Sequence, residues 1–118
     1  MTTAEEVQKA FHQCMPIFIA LGDEVRLTII EALTGTEFFD KSAASQKALP
    51  DRRGLNVNQI TERTSLSRPA ISHHLKILKD AGLVGVRQEG TANYYYLTIA
   101  DSTRILMNLG FQLQEFLG

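Results

Sequence analysis

The sequence predicts one mainly α-helical domain that carries a small antiparallel β-hairpin. Its 118 residues match the size of a single domain. Apolar residues recur at helical spacing over most of the chain. Residues 83–88 and 93–97 instead alternate in polarity and are rich in Val and Tyr, and the segment between them, Glu89-Gly90-Thr91-Ala92, is typical of a hairpin turn.

The composition excludes several classes of protein. With 44% hydrophobic and 21% charged residues, the chain is globular rather than disordered. No run approaches the roughly 18–20 apolar residues of a membrane span, and the acidic residues 1–6 do not resemble a secretory signal. The single cysteine, Cys14, excludes a disulfide within the chain. We therefore expect a cytoplasmic protein with no membrane contact.

Two helices are predicted in the first third of the chain. The first begins after Thr3, because Thr3 and Glu6 have the spacing of a capping box, and Pro16 predicts a kink or a restart within it. The second follows Asp23, which is a good N-cap. It is expected to end just before Gly35, because glycine suits a left-handed stop.

A long surface connection is expected over residues 36–56. Small polar residues break the helical rhythm there, although residues 42–49 could form one short helix. Leu55 and Val57 are compatible with a short strand just before the next helix.

Residues 58–82 have the pattern of a helix-turn-helix. Asn58 is expected to cap a short helix, and Ser67 is expected to cap a longer helix that stops at Gly82. A hairpin over residues 83–98 follows. A short helix, a tight turn, a longer helix and a hairpin make a winged helix-turn-helix, a layout that reads DNA.

The charge distribution indicates an anionic partner for the middle of the chain. The net charge is only −1, but residues 52–88 hold seven Lys and Arg against Glu62 and Asp80, a net charge of +5. Residues 1–40 and 89–118 are both acidic. Double-stranded DNA is a partner that fits such a basic segment.

The longer helix separates an apolar face from a face of hydrogen-bond donors. Leu75 and Leu78 lie within about 40° of Ile71 on a helical wheel, and all three are expected to pack on the core. The opposite face suits phosphate oxygens and guanine edges, unless it is simply a solvated face. The hairpin tip is expected to add a second contact with DNA. The alternative is a plain two-stranded hairpin whose tyrosines only pack on its two faces. The candidate DNA-binding residues are Arg68, Pro69, Ser72, His73 and Lys76 of the helix and Arg87 and Thr91 of the hairpin.

Three stretches of the chain resemble the ArsR/SmtB family of bacterial winged-helix repressors. They are ALGDEVRLTII at residues 20–30, LSRPAISHHLKILKDAGLV at residues 66–84, and RQEGT at residues 87–91, which runs into Tyr94 and Tyr95. The resemblance implies a dimeric repressor that binds a palindromic operator and releases it on an inducing signal. The DNA contacts that it implies are Arg68, Ser72, His73, Lys76 and the wing.

The chain departs from this family where metal sensors hold their ligands. Such members often carry paired cysteines before the recognition helix, where this chain reads Asn56-Val57-Asn58-Gln59-Ile60. Zinc-sensing members place Asp and His on the last helix, yet no histidine follows His74. We therefore expect no metal site and no cofactor, and an inducer of unknown chemistry stays open as a partner. Cys14 is expected to be a small buried hydrophobe, with a redox role as the alternative.

The last helix, which Asp101 can cap, carries an apolar seam in which four large side chains recur at a 3-4-3 spacing. The seam could pack on the domain's own core or on a second chain. We expect a homodimer through residues 1–22 and 101–118, because a dimer matches the two half-sites of a palindrome. The expected interface residues are Val7, Phe11, Leu106, Leu109, Leu113 and Phe116.

A second class of function stays open, that of a winged-helix module that binds other proteins and not DNA. The donors and cations on the outward helix face argue against it. An enzyme is not expected, because no nucleophile, histidine and carboxylate fall at a spacing that indicates catalysis. The predicted function is therefore sequence-specific binding of double-stranded DNA by a transcriptional regulator, in the form of a homodimeric repressor.

Overall fold

The computed structural model describes residues 1–43 and 54–118, with the backbone alone over residues 35–43. These residues form five helices and one two-stranded antiparallel sheet, so the predicted mainly helical fold class with a hairpin is confirmed. No helix among them is long and apolar enough to cross a membrane. In chain order the elements are α1 (Ala4–Leu21), α2 (Glu24–Ala43), α3 (Val57–Thr64), α4 (Arg68–Asp80), β1 (Val84–Glu89), β2 (Ala92–Leu97) and α5 (Ile99–Leu117).

Helix α1 begins where the sequence predicts. The Thr3 hydroxyl accepts from the Glu6 backbone N–H at 3.2 Å, and the Glu6 carboxylate accepts from the Thr3 backbone N–H at 3.0 Å, which completes a capping box. The helix then continues through Pro16, so the predicted restart is wrong. Proline removes only one backbone donor, and the buried Cys14 and Ile17 hold the helix on the core on either side of it.

Helix α2 begins at the predicted cap, where the Asp23 carboxylate accepts from the Arg26 backbone N–H at 3.1 Å. It does not end at Gly35 as predicted but continues to Ala43. One glycine inside a helix costs only about 1 kcal/mol relative to alanine, which is too little to end it. Residues 36–43 of the expected connection over 36–56 therefore belong to α2. Residues 44–53, with most of the 42–49 segment, lie outside the described part of the chain.

Helix α3 is capped by Asn56, and not by Asn58 as predicted. The Asn56 Oδ1 accepts from the Gln59 backbone N–H at 2.8 Å, and the Gln59 Oε1 accepts from the Asn56 backbone N–H at 2.9 Å. This reciprocal pair needs an amide or carboxylate three residues after the cap, which Asn56 has and Asn58 lacks. The expected strand at Leu55 and Val57 is reduced to a single bridge between Leu55 and Tyr95, because Val57 already belongs to α3.

Short turns connect α3 to α4 and β1 to β2. Ser65 adopts a left-handed φ of 62° and ends α3, and the Ser67 hydroxyl then caps α4 by accepting from the Ala70 backbone N–H at 3.3 Å. In the hairpin, β1 pairs with β2 from Val84↔Leu97 to Glu89↔Ala92. Gly90 takes the positive φ of 64° that the tight turn needs.

Helix α5 begins two residues before Asp101, so the predicted cap at Asp101 is wrong. The start of α5 is tied instead to the turn that follows α4. The Thr98 hydroxyl donates to the Gly82 carbonyl at 3.0 Å, and the Ser102 hydroxyl donates to the same oxygen at 3.3 Å. These tertiary bonds fix the position of the last helix relative to the recognition helix.

The main core lies beneath α4. Ile71, Leu75 and Leu78 point into it and are no more than 1% exposed, so the predicted apolar face is confirmed. They belong to one buried cluster with residues of α1, α2, α3 and the hairpin. A smaller cluster joins α1 to α5 and consists of Ala10, Cys14 and Leu109.

Candidate nucleic-acid interface

A polar cleft of about 390 Å³ opens where the first turns of α3 and α4 meet the tip of the hairpin. Its wall combines hydrogen-bonding side chains from all three elements. The short turn between α3 and α4 and the two-residue turn of the hairpin bring these elements to one side of the domain. The polar residues that line it are Asn56, Asn58, Arg68, Ser72, Thr91 and Asn93.

The outward face of α4 is exposed along its whole length. Ser72 and His73 lie on the side opposite the buried stripe, and Lys76 follows one turn later. Arg68 and Pro69 stand exposed at the start of the same helix. The structure therefore brings the five helix residues predicted to bind DNA onto one accessible face, and two of them, Arg68 and Ser72, line the polar cleft.

Arg68 links the two helices of the helix-turn-helix. Its Nη1 donates to the Oδ1 of Asn58 in the first turn of α3. A guanidinium carries five N–H groups, so this bond leaves donors on Arg68 for an acceptor placed in the cleft. Asn56 and Asn58 were not identified from the sequence as residues of the cleft. The capping-box spacing of Asn56 and Gln59 is the signal that would have located the start of α3.

Lys76 forms an ion pair with Asp80, at 3.0 Å between Nζ and Oδ2. Both side chains are well exposed. Exposed pairs of this kind contribute at most about 1 kcal/mol, so the ammonium can exchange its partner for a phosphate at little cost.

Arg87 is less accessible than the sequence suggests. Its Nε lies 3.2 Å from a carboxylate oxygen of Glu89, and its guanidinium carbon lies 5.0 Å from the ring centre of Tyr94, its cross-strand neighbour. Its side chain is only 20% exposed. Thr91, by contrast, is exposed at the hairpin tip and lines the cleft.

The residues predicted to form a dimer interface divide into three groups. Val7 and Leu109 are buried within the chain, so they present no surface to a partner. Leu106 and Leu113 are partly buried against the small cluster between α1 and α5. Phe11 and Phe116 are exposed. The seam of α5 therefore packs in part on the chain's own α1, which is one of the two options that the sequence left open.

Two large apolar faces stay exposed on these helices. We call them the α1 outer face, made of Phe11, Met15 and Phe18, and the α5 outer face, made of Met107 and Phe111. Their side chains are between 43% and 68% exposed. Contiguous exposed apolar surface of this kind often marks an interface between proteins.

Cys14 lies fully buried between α1 and α5. Its thiol contacts the Ile105 carbonyl oxygen at 3.6 Å, and burial raises the pKa of the thiol. A thiol with a raised pKa is a poor nucleophile and a poor metal ligand. Within residues 1–34 and 54–118, no group of three or more His, Cys, Asp and Glu is placed to hold a metal ion.

The comparison with known proteins decides the family. Residues 47–86 match the family model described as bacterial regulatory protein, arsR family. Over 99 residues the chain is 36% identical to an uncharacterized HTH-type transcriptional regulator of Methanocaldococcus jannaschii, a match that covers 84% of this chain and 92% of the relative. The chain belongs to the ArsR family. It is a DNA-binding transcriptional regulator, and this assignment favours DNA over the alternative of a module that binds only proteins.

Two further similarities agree with this assignment: one relative is a transcriptional repressor, and one solved structure shares the fold. The chain is 28% identical to the transcriptional repressor SdpR of Bacillus subtilis over 78% of this chain and 87% of that protein. Its fold matches the homodimeric winged helix-turn-helix DNA-binding domain of a possible ArsR-family regulator from Mycobacterium bovis. The TM-score is 0.62 at 23% identity, and the match covers 98% of this chain and 91% of that domain. The predicted winged helix-turn-helix is thereby confirmed.

Proposed function

We propose that this ArsR-family regulator is a cytoplasmic homodimeric repressor that binds a palindromic operator through α4 and the hairpin. The observation that carries the proposal is the polar cleft, because donors from α3, α4 and the hairpin converge there on one side of the domain. A recognition helix of this motif enters the major groove with its N-terminal residues, and a wing follows the adjacent backbone.

The outward residues of α4 divide by chemistry into two roles. Ser72 and His73 carry no permanent charge and lie near the start of the helix, where their hydrogen-bonding groups suit directional bonds to base edges. Arg68 and Lys76 are cations and suit phosphate oxygens. Pro69 offers only an apolar contact, such as one with a thymine methyl group.

The hairpin contributes contacts to the DNA backbone in this proposal. The Thr91 hydroxyl at its tip suits a phosphate oxygen. Arg87 contributes by exchanging Glu89 for a phosphate, which is favourable because Glu89 is itself exposed and its pairing with Arg87 is partly screened by water. The hairpin thereby extends the footprint beyond the groove that α4 occupies.

Dimerisation in this proposal uses the α1 and α5 outer faces. Burying the five large apolar side chains of each chain in the interface removes them from water at a gain of roughly 25 cal/mol per Å². A two-fold dimer presents two copies of α4 in opposite directions, as the half-sites of a palindrome require. The homodimeric domain from Mycobacterium bovis, which shares the fold, supports this assembly. Its role as a repressor is supported by the similarity to SdpR.

Selection of bound duplexes from a random DNA pool with the full chain tests the proposal. We expect enrichment of a palindromic sequence, and sedimentation of the complex should give two chains per duplex. If the protein enriches no sequence and binds all duplexes weakly or not at all, the proposal is wrong, and the module that binds only proteins becomes the better reading.

A further inference from the structure

One arginine connects the end of α1 to the recognition helix. The Nε of Arg26 donates to the Ala20 carbonyl at 2.7 Å, and its Nη2 donates to the Ile19 carbonyl at 3.2 Å. Its Nη1 lies 3.1 Å from the Nδ1 of His74 in α4. The Arg26 side chain is only 11% exposed, and its bonds to Ala20 and His74 are partly buried.

The chemistry of a guanidinium decides the state of His74. The last carbonyls of α1 have no partner within the helix, and Arg26 supplies donors to them. A guanidinium donates hydrogen bonds and accepts none, so the Nδ1 of His74 must be the acceptor. In the neutral ring the proton then resides on Nε2. The charged and titratable groups near His74 are Arg26, the Asp23 carboxylate and the neighbouring His73.

His74 in turn contacts a residue of the DNA-facing surface. Its ring and that of His73 meet edge to face, with centroids 5.5 Å apart and an angle of 62° between the planes. His73 is exposed on the outward face of α4, whereas His74 is partly buried. Because the two residues are consecutive on α4, a bond that holds His74 also fixes the turn of backbone from which His73 projects.

We propose that Arg26 is a positioning residue for DNA recognition. It holds His74 in one tautomer and one orientation, and this bond fixes the turn of α4 that presents His73 to a base. Arg26 thereby also fixes α4 against the end of α1. The inference rests on the proposed function of His73, but it adds a residue of α2 that lies away from the DNA-facing surface.

Two variants of His74 with similar shape separate positioning from packing. In His74→Asn the amide oxygen takes the place of Nδ1 and can accept from Arg26, whereas in His74→Leu no acceptor is left. The probe is a duplex selected by the native protein from a random pool, and a scrambled duplex is the control. We expect His74→Leu to lower affinity for the selected duplex about tenfold and to leave the scrambled duplex unchanged, and His74→Asn to stay within about twofold of native.

Arg26→Lys tests the other side of the same bond. Lysine keeps the positive charge, but a single ammonium cannot reach both carbonyls of α1 and His74 together. We expect the same loss of affinity for the selected duplex as in His74→Leu. Combining Arg26→Lys with His74→Leu should lower the affinity for the selected duplex no more than either change alone, because both changes remove the same bond between Arg26 and His74.

A measurement on the free protein keeps the proposal independent of folding defects. Nitrogen NMR of the imidazole should show an unprotonated Nδ1 and a protonated Nε2 at His74 in the native protein, and a mixture of tautomers in Arg26→Lys. Loss of affinity in His74→Asn as large as in His74→Leu would overturn the proposal, as would native affinity in His74→Leu. If the native protein enriches no duplex, the proposed function is wrong. That outcome is distinct from the others, because the variants are compared only on a duplex that the native protein binds.

Discussion

Arg68 at the start of α4 donates to Asn58 in the first turn of α3, so the two helices are joined at the edge that lines the polar cleft. The same guanidinium can therefore hold the helix pair together and face an anion. Substitutions of Arg68 and Asn58 separate the structural role from the electrostatic one.

Removing the cation should change the salt dependence of binding. Arg68→Ala should weaken binding to all duplexes and lower the slope of log affinity against log salt by about one unit, because one phosphate contact is lost. Asn58→Ala removes the partner but keeps the charge, so its slope should stay native. Fluorescence anisotropy over a range of salt concentrations measures both. A native slope in Arg68→Ala would make Arg68 a purely structural link.

Lys76 should behave as a phosphate contact without sequence preference. Lys76→Ala should lower the salt slope by about one unit on selected and scrambled duplexes alike. Arg104→Ala is a matched control, because Arg104 forms a similarly exposed ion pair with Asp101 at 3.0 Å on α5, outside the polar cleft. Equal effects of the two substitutions would show that Lys76 acts only through the overall charge.

Ser72 and His73 should determine specificity. Ser72→Ala and His73→Ala should each cost about 1–3 kcal/mol on the selected duplex and little on a scrambled one, with the salt slope unchanged. Thr28→Ala, which removes an exposed hydroxyl from α2 outside the polar cleft, should leave both affinities native. Competition binding gives the ratio of the affinities for the selected and the scrambled duplex. An unchanged ratio in both variants would place base reading elsewhere.

The outer face of α5 should hold the dimer together. Phe111→Glu should give a folded monomer in sedimentation, because two carboxylates would meet apolar surface across the interface. Leu27→Glu changes a similarly exposed apolar residue of α2 and should stay dimeric. Leu109→Ala should instead destabilise each chain by about 2–5 kcal/mol, because Leu109 is buried between α1 and α5. A folded, dimeric Phe111→Glu would exclude this face as the interface.

The environment of Asp23 predicts a pH dependence of stability. The backbone N–H of Arg26, and to a smaller degree the positive charge of Arg26, lower the pKa of Asp23 below its ordinary value of 3.8. The stabilisation is therefore complete above that value and is lost as the pH falls through the lower pKa of the folded protein. Asp23→Asn keeps a cap oxygen but no charge, so its deficit in unfolding free energy should be constant near neutral pH and should shrink below pH 3.8. Urea unfolding at several pH values measures this deficit, and a deficit that does not change with pH would contradict the prediction.

Local signals in the sequence located the parts of the fold that local forces determine. The cap at Ser67, the buried stripe of α4 and the hairpin turn at Gly90 each depend on residues a few positions apart. The wrong boundaries have equally physical causes. Gly35 is too weak a breaker to end α2, and Asp101 is not needed as a cap because Thr98 and Ser102 tie the start of α5 to Gly82.

The contacts between distant segments could not be predicted from one sequence. Arg26 and His74 are separated by 48 positions, and no periodicity connects them. The same holds for the convergence of Asn58, Arg68 and Thr91 on the polar cleft, which depends on how the hairpin folds back over α3. The sequence alone therefore predicts the chemistry of the outward face of α4. The residues that form the opposite wall of the polar cleft are identified only by the structure.

The Gly82 carbonyl, which accepts from both Thr98 and Ser102, has a consequence for the DNA that a dimer can recognise. In the proposed dimer it joins the end of the recognition helix to α5, the helix proposed to pair the chains, so the separation between the two recognition helices is held at one length. Each base pair inserted between two half-sites turns one of them by roughly 35° and moves it by about 3.4 Å along the DNA axis. A dimer with such a rigid joint cannot follow that rotation, so it measures the spacing of its half-sites as well as their sequence.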